Sequence, residues 1–141
     1  MYRTRRNFLN GLLGISFTTF LPTSSYASQE SLNKIVEPLL PKVLKKGATI
    51  GLIAPGYNFT STILKHTKKT LKQMGYKTYH TKRVSKTHGY FSNTDEERAA
   101  DINEMFANKK IDGILCIRGG YGCTRIMHLI NYDTIKRNPK P

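Results

Sequence analysis

The 141-residue sequence has no tryptophan, two cysteines and nine acidic residues. It also lacks an uninterrupted apolar run of the roughly 20 residues that a bilayer-spanning helix needs. Each shortage excludes something. Two cysteines, Cys116 and Cys123, cannot build the disulfide framework of a small secreted scaffold. One bridge between them is the most they allow, and only in an oxidising compartment. Cys116 falls in an apolar strand run, where a buried free thiol is the expected outcome. The histidines, His66, His80, His88 and His128, show neither His-x-x-x-His nor glutamate-flanked spacing, so no metal and no cofactor is expected. The scarcity of acid leaves 23 Lys and Arg against 9 Asp and Glu, a net charge of +14. That charge suits an anionic partner such as nucleic acid, anionic lipid or a wall polymer, without choosing among them. No aromatic-interleaved RNA motif and no helix-turn-helix pattern accompanies it, so no nucleic-acid partner is expected. The lysines spread over residues 34–86 read most simply as a solvated surface.

What is present begins with an address. Thr4-Arg5-Arg6-Asn7-Phe8-Leu9-Asn10 resembles the twin-arginine export signal, with Asn10 where lysine is usual. Gly11 to Leu21 is mildly apolar but interrupted by Ser16, Thr18 and Thr19, too short and too polar to span a membrane. Ser25-Tyr26-Ala27 places small side chains where a signal peptidase reads them, predicting cleavage after Ala27. Residues 1–27 are therefore expected to direct export of a folded product to the periplasm. Loss of Arg3, Arg5 and Arg6 would take the net charge from +14 to +11.

Residues 28–46 read as a linker and lead-in, with Pro38, Pro41 and a lysine pair. Ala48 to Ala54 is apolar at nearly every position, as in a strand buried on both faces, and Pro55-Gly56 ends it. A helix is predicted over Ser61 to Met74, with Ile63, Leu64, Leu71 and Met74 as its apolar stripe and Gly75 as its C-terminal cap. A short strand over Lys77 to Thr81 and a polar loop to Asn93 follow. Thr94 and Glu97 have capping-box spacing, opening a helix whose buried face is Ala99, Ile102, Met105 and Phe106. Gly113 to Ile117 is the next strand, then a helix over Thr124 to Ile130 and a helical turn over Asp133 to Arg137, stopped by Pro139. The order β-α-β-α-β-α predicts an α/β fold, a three-layer, Rossmann-like (flavodoxin-like) parallel sheet. Only about three strands are expected, with a fourth wanted where the sequence stops.

The sharpest candidate site is Arg118-Gly119-Gly120-Tyr121-Gly122, at the carboxyl end of a buried strand, where open α/β sheets hold their ligands. Backbone amides there, with a helix N-terminus behind them, suit an anion or a developing oxyanion. A tight strand-to-helix turn with no ligand is the competing reading. Cys123 follows the glycines near a helix start, where a thiol is activated, so a cysteine hydrolase is a second possibility. The Gly-x-Cys-x-Gly elbow pattern fails at Arg125, however.

Taken together these segments resemble the serine LD-carboxypeptidases (muramoyltetrapeptide carboxypeptidases). Gly47 to Pro55 resembles the opening strand of that family. Gly89-Tyr90-Phe91-Ser92-Asn93-Thr94-Asp95-Glu96-Glu97-Arg98-Ala99-Ala100-Asp101-Ile102-Asn103 is similar to its Gly-Thr-Asp-Glu-Glu-Arg-Ala-x-Asp-Leu-Asn stretch, and Ile114 to Gly122 to its Arg-Gly-Gly-Tyr-Gly box. Asn131-Tyr132-Asp133 and Arg137-Asn138-Pro139-Lys140 continue in register. On this resemblance residues 47–141 are an incomplete N-terminal domain. The family removes terminal D-alanine from murein tetrapeptides without a metal, and its members are often homodimers. The resemblance implies that Gly119, Gly120 and Tyr121 line the substrate and stabilise the oxyanion. It implies too that the nucleophilic serine, in a Gly-Tyr/His-Ser-Asp elbow, and the glutamate and histidine of the triad lie beyond Pro141. No Gly-x-Ser-Asp occurs in the 141 residues. The chain by itself is therefore expected to be inactive. The alternatives are a non-catalytic module that binds wall peptides and a cysteine hydrolase using Cys123.

Overall fold

The computed structural model describes residues 38–141. The export-signal residues Arg5, Arg6 and Ala27, and the first part of the lead-in, lie outside the described residues.

Three strands form one parallel sheet: β1 (Thr49–Ile53), β2 (Lys77–Tyr79) and β3 (Gly113–Cys116), in the order β2-β1-β3. The central strand is the most apolar, and four of its five residues are buried. Gly51 pairs with Tyr79 on one side and Ile114 on the other. The chain leaves β1 for one neighbour and returns from β2 to the other. Because parallel crossovers are right-handed, that reversal puts the two intervening helices on opposite faces of the sheet. The topology confirms the expected α/β architecture.

The helix between β1 and β2, α1 (Ser61–Gln73), ends at Gly75 as expected. Gly75 has φ +87°, its N–H donates to Lys72 O, and Tyr76 N–H donates to Leu71 O, the paired bonds of a Schellman motif. Its stripe is shallower than the periodicity suggests. Leu64 and Leu71 are half-buried, but Ile63 and Met74 are exposed, and no α1 residue is fully buried.

The second helix, α2 (Asp95–Ala107), carries the main core. Met105 is wholly buried with Ile53 and Ile111, and Ile102 and Ile114 pack against them. Gly51 is what admits α2 this close, since a Cβ there would lie 2.7 Å from Met105 Sδ. The helix starts as the capping spacing predicts, Thr94 Oγ1 accepting from Glu97 N–H at 3.3 Å. The reciprocal half of the box is replaced: Thr94 N–H donates to Asn93 Oδ1, and the Glu97 carboxylate pairs with Lys86. Lys140 closes the other end from a distance, its ammonium donating to Met105 O and Asn108 O at 2.6 Å each.

Four expectations need correction. The helix predicted over 124–130 is one α turn, α3 (Gly122–Arg125), followed by a 3-10 turn at Met127–Leu129. The break lets Ile126 turn inward, where it is almost wholly buried. The last helix, α4, begins one residue early (Tyr132–Arg137), with Asn131 Oδ1 accepting from Thr134 N–H. The loop after β2 is not simply polar and exposed: a 3-10 turn (Arg83–Ser85) buries Val84, and Ser92 and Asn93 are buried at its far end. Finally, Cys116 is exposed rather than buried, because β3 is an edge strand. On the outer side of β3, Ile114 N–H donates to Pro141 O at 2.8 Å, so the segment after α4 returns alongside that edge.

Candidate functional site

In a 2-1-3 strand order the switch point lies between the carboxyl ends of β1 and β3, and the ligand crevice of such sheets opens there. The turns leaving these two strands are stitched together. Gly56 N–H donates to Arg118 O (3.3 Å) and Tyr57 N–H to Gly119 O (3.0 Å). Gly56 has to be glycine, since a Cβ would collide with the Gly119 carbonyl. Gly120 sits at φ +128°, and the Tyr57 ring occupies the space where its Cβ would point. With the carbonyls of Gly119 and Gly120 committed to Tyr57 and Cys123, the amides of Gly119, Gly120 and Tyr121 have no hydrogen-bond partner in the chain among the described residues. They are donors held in place at the crevice. The helix behind them has only four residues, so the turn itself, and not a helix dipole, supplies the positive character.

Aromatic rings form the wall. Tyr57 meets Tyr90 and Tyr121 edge-on at 5.4 and 5.9 Å and lies parallel to Phe91 at 6.4 Å. Tyr90 and Tyr121 remain largely exposed. Tyr57, Asn58, Gly89, Tyr90 and Arg118 line an open cleft of about 410 Å³. A larger hollow of about 890 Å³ lies at the amino ends of the strands, bordered by Ala48, Asp112 and Lys140. We take the smaller cleft as the site because it adjoins the free amides, and parallel sheets bind at their carboxyl ends.

Beneath the wall lies Arg98, 1 % exposed. Its guanidinium donates to the carbonyls of Asn93 (3.1 Å), Gly122 (3.0 Å) and Pro55, pairs with Asp95 and stacks on Phe91 at 4.7 Å. One side chain thus ties the turn after β1, the start of α2 and the turn after β3 to one another. Asp95 also receives Arg125, which covers Phe91 at 5.3 Å. Desolvation pushes the Asp95 carboxyl up, but the hydrogen bonds and charges of Arg125 and Arg98 outweigh it and hold the group below its ordinary range. A buried carboxylate, Asp101, accepts from Thr81 Oγ1 (2.7 Å) and Arg83 Nε (2.9 Å) and anchors the loop after β2. Burial pushes its carboxyl up, against the pull of those two partners.

Both cysteines are free. Desolvation and then the neighbouring Cys123 push the Cys116 thiol up, against a backbone hydrogen bond from Arg118. No histidine hydrogen-bonds to Cys123 among the described residues; His80 is turned to the Thr81 carbonyl instead. The arrangement gives no support to a cysteine nucleophile. No group of three His, Cys, Asp or Glu among the described residues is placed to hold a metal.

Gly119, Gly120 and Tyr121 form the turn next to the cleft that Tyr57, Asn58, Gly89, Tyr90 and Arg118 line, and Arg98 is buried beneath it. The position of Tyr57, just past the strand-ending Pro55-Gly56, was the available signal for it.

Residues 50–141 match the model of the LD-carboxypeptidase N-terminal domain. A probable murein peptide carboxypeptidase of Bacillus subtilis (strain 168) is 36% identical over 100 residues, covering 71% of this chain and 31% of the relative. The wild-type microcin C7 self-immunity protein superposes with a TM-score of 0.69 at 33% identity, over 73% of this chain and 32% of that one. A muramoyltetrapeptide carboxypeptidase from Oxalobacter formigenes gives 0.61 at 31% identity, over 66% and 31%. The chain spans about a third of the length of these relatives. Fold and sequence agree: this chain belongs to the LD-carboxypeptidase family, whose N-terminal domain it carries.

Proposed function

We propose that this domain supplies the oxyanion-stabilising turn and the aromatic substrate wall of a site that removes the terminal D-alanine of a murein tetrapeptide. The observation that carries the reading is the stitched turn at Gly119–Tyr121, with its three uncommitted amides beside the tyrosine-lined cleft. Attack on an amide carbonyl puts negative charge on its oxygen, and fixed N–H donors at that point lower the barrier. The relatives named for murein peptides support the choice of substrate. On this reading the nucleophile and base come from outside these 141 residues, since no Gly-x-Ser-Asp elbow is among them. Oxyanion donors without a nucleophile leave only weak residual catalysis.

The test is an amide NMR titration of the 141-residue chain with murein tetrapeptide, run alongside an assay for D-alanine release. Shifts are expected at Gly119, Gly120, Tyr121 and Tyr57, with no release. Unmoved crevice amides at millimolar peptide would overturn the substrate assignment; release by the chain alone would overturn the external nucleophile.

The same reading places the protein's work in the periplasm, with residues 1–27 as a twin-arginine signal cleaved after Ala27 and residues 28–46 as a lead-in to the domain. Replacing both Arg5 and Arg6 by Lys should leave the product in the cytoplasm. Unchanged export of that variant, scored by fractionation, would remove the signal assignment.

A further inference from the structure

A carboxypeptidase must tell a peptide that ends in a free carboxylate from one that continues. We propose that Arg118 makes that distinction, by pairing with the terminal carboxylate of the substrate in the Tyr57–Tyr90 cleft. The inference rests on the site assignment above and goes beyond it, to the group that reads the end of the peptide. Three observations meet at this residue. Arg118 lines the cleft with Tyr57, Asn58, Gly89 and Tyr90. It directly precedes Gly119 and Gly120 in the chain, and its carbonyl is stitched to the turn after β1 beside theirs. And Arg118 makes no ion pair or side-chain hydrogen bond among the described residues; Arg83, Arg98 and Arg125 are committed to carboxylates, and Arg137, also unpaired, borders the hollow at the opposite end of the strands. An arginine held in a cleft through its own backbone, by Gly56 N–H on its carbonyl, with its fork unused, is suited to bidentate capture of a carboxylate. Asn58, whose amide nitrogen is held by Gly89 O at 3.2 Å, presents no competing negative charge.

The competing explanation is general attraction of an anionic peptide to a chain of net charge +14. The experiment separates the two. Murein tetrapeptide and its D-alanine C-terminal amide are titrated into the 141-residue chain, into Arg118→Gln and into Lys68→Gln, an exposed control on α1. The wild type and Lys68→Gln should prefer the free acid by about tenfold, in line with a charge-assisted pair. Arg118→Gln should lose that preference, binding acid and amide alike. Equal affinity of the wild type for acid and amide, or a preference that survives in Arg118→Gln, would overturn the role of Arg118 and leave the site assignment standing. Failure of both peptides to bind the wild type would overturn the site assignment and this inference with it.

Discussion

Arg98 has the highest stakes of any single side chain here. Five N–H donors in a fixed plane serve three backbone carbonyls and one carboxylate, and no other residue type matches that geometry. Replacing it with methionine keeps much of the volume, but leaves the carbonyls of Pro55, Asn93 and Gly122 without their partner and Asp95 with only Arg125. Breaking a buried charge pair from one side costs about 3–5 kcal/mol, so Arg98→Met should lower the urea midpoint sharply, and a near-wild-type midpoint would contradict the structural role. The pH dependence follows from Asp95. Its carboxyl is held below the value near 3.9 of an unfolded chain. The stability it contributes is therefore fully present above that value and is lost as the pH falls through the lower folded one. Asp101, pushed up, acts in the opposite sense, so the diagnostic is the comparison of the wild type with Asp95→Asn. The variant should be less stable at neutral pH and should approach the wild type in strong acid; parallel curves would rule out the linkage. The buried face expected of this helix, Ala99, Ile102, Met105 and Phe106, leaves Arg98 out. Yet Arg98, Ile102 and Met105 are spaced as one helix face, and that spacing marked Arg98 as pointing inward.

The elements with strong local signals formed where the sequence placed them. A strand apolar at nearly every position, a glycine cap and a Thr94–Glu97 start each depend on contacts within a few residues, and so could be read without the fold. Thr94→Ala should cost about 1 kcal/mol, the usual loss for an N-cap, measured as a shift in thermal or urea midpoint. A change near zero would mean that Asn93, which already takes the Thr94 N–H, secures the helix start alone. What was not legible depended on distant neighbours. The segment after Gly122 has helical periodicity, but Arg98 claims the Gly122 carbonyl and Ile126 turns into the core, so one α turn and one 3-10 turn replace a continuous helix. The burial of Cys116 was misjudged for the same kind of reason: apolar neighbours in sequence say nothing about whether a strand is central or at an edge. The glycine box was visible as a candidate, but its stitching to Gly56 and Tyr57, about 60 residues earlier, becomes apparent only once β1 and β3 are neighbours.

For the molecule as a whole, two opposing terms set its behaviour in solution. The outer side of β3 is bonded only at Ile114 among the described residues, through Pro141 O, and Leu115 is 38% exposed beside it. An edge with unpaired backbone groups and an apolar side chain is a template for pairing with another chain. Against this stands the net charge of +14, which repels copies at low ionic strength. The repulsion is long-ranged and screened within about 8 Å at physiological salt, whereas edge pairing and apolar contact are short-ranged and are not weakened in the same way. Self-association should therefore increase with salt, the reverse of what an ion-paired interface would show. Sedimentation velocity over a salt and concentration series, with reductant present to remove any contribution from the exposed Cys116, measures this directly. Leu115→Lys places a charge on the edge strand, a common guard against such pairing, and should shift the distribution towards monomer at every salt concentration. A wild-type chain that stays monomeric in high salt, or a Leu115→Lys variant that associates as readily, would show that the β3 edge is already adequately covered by the segment ending at Pro141.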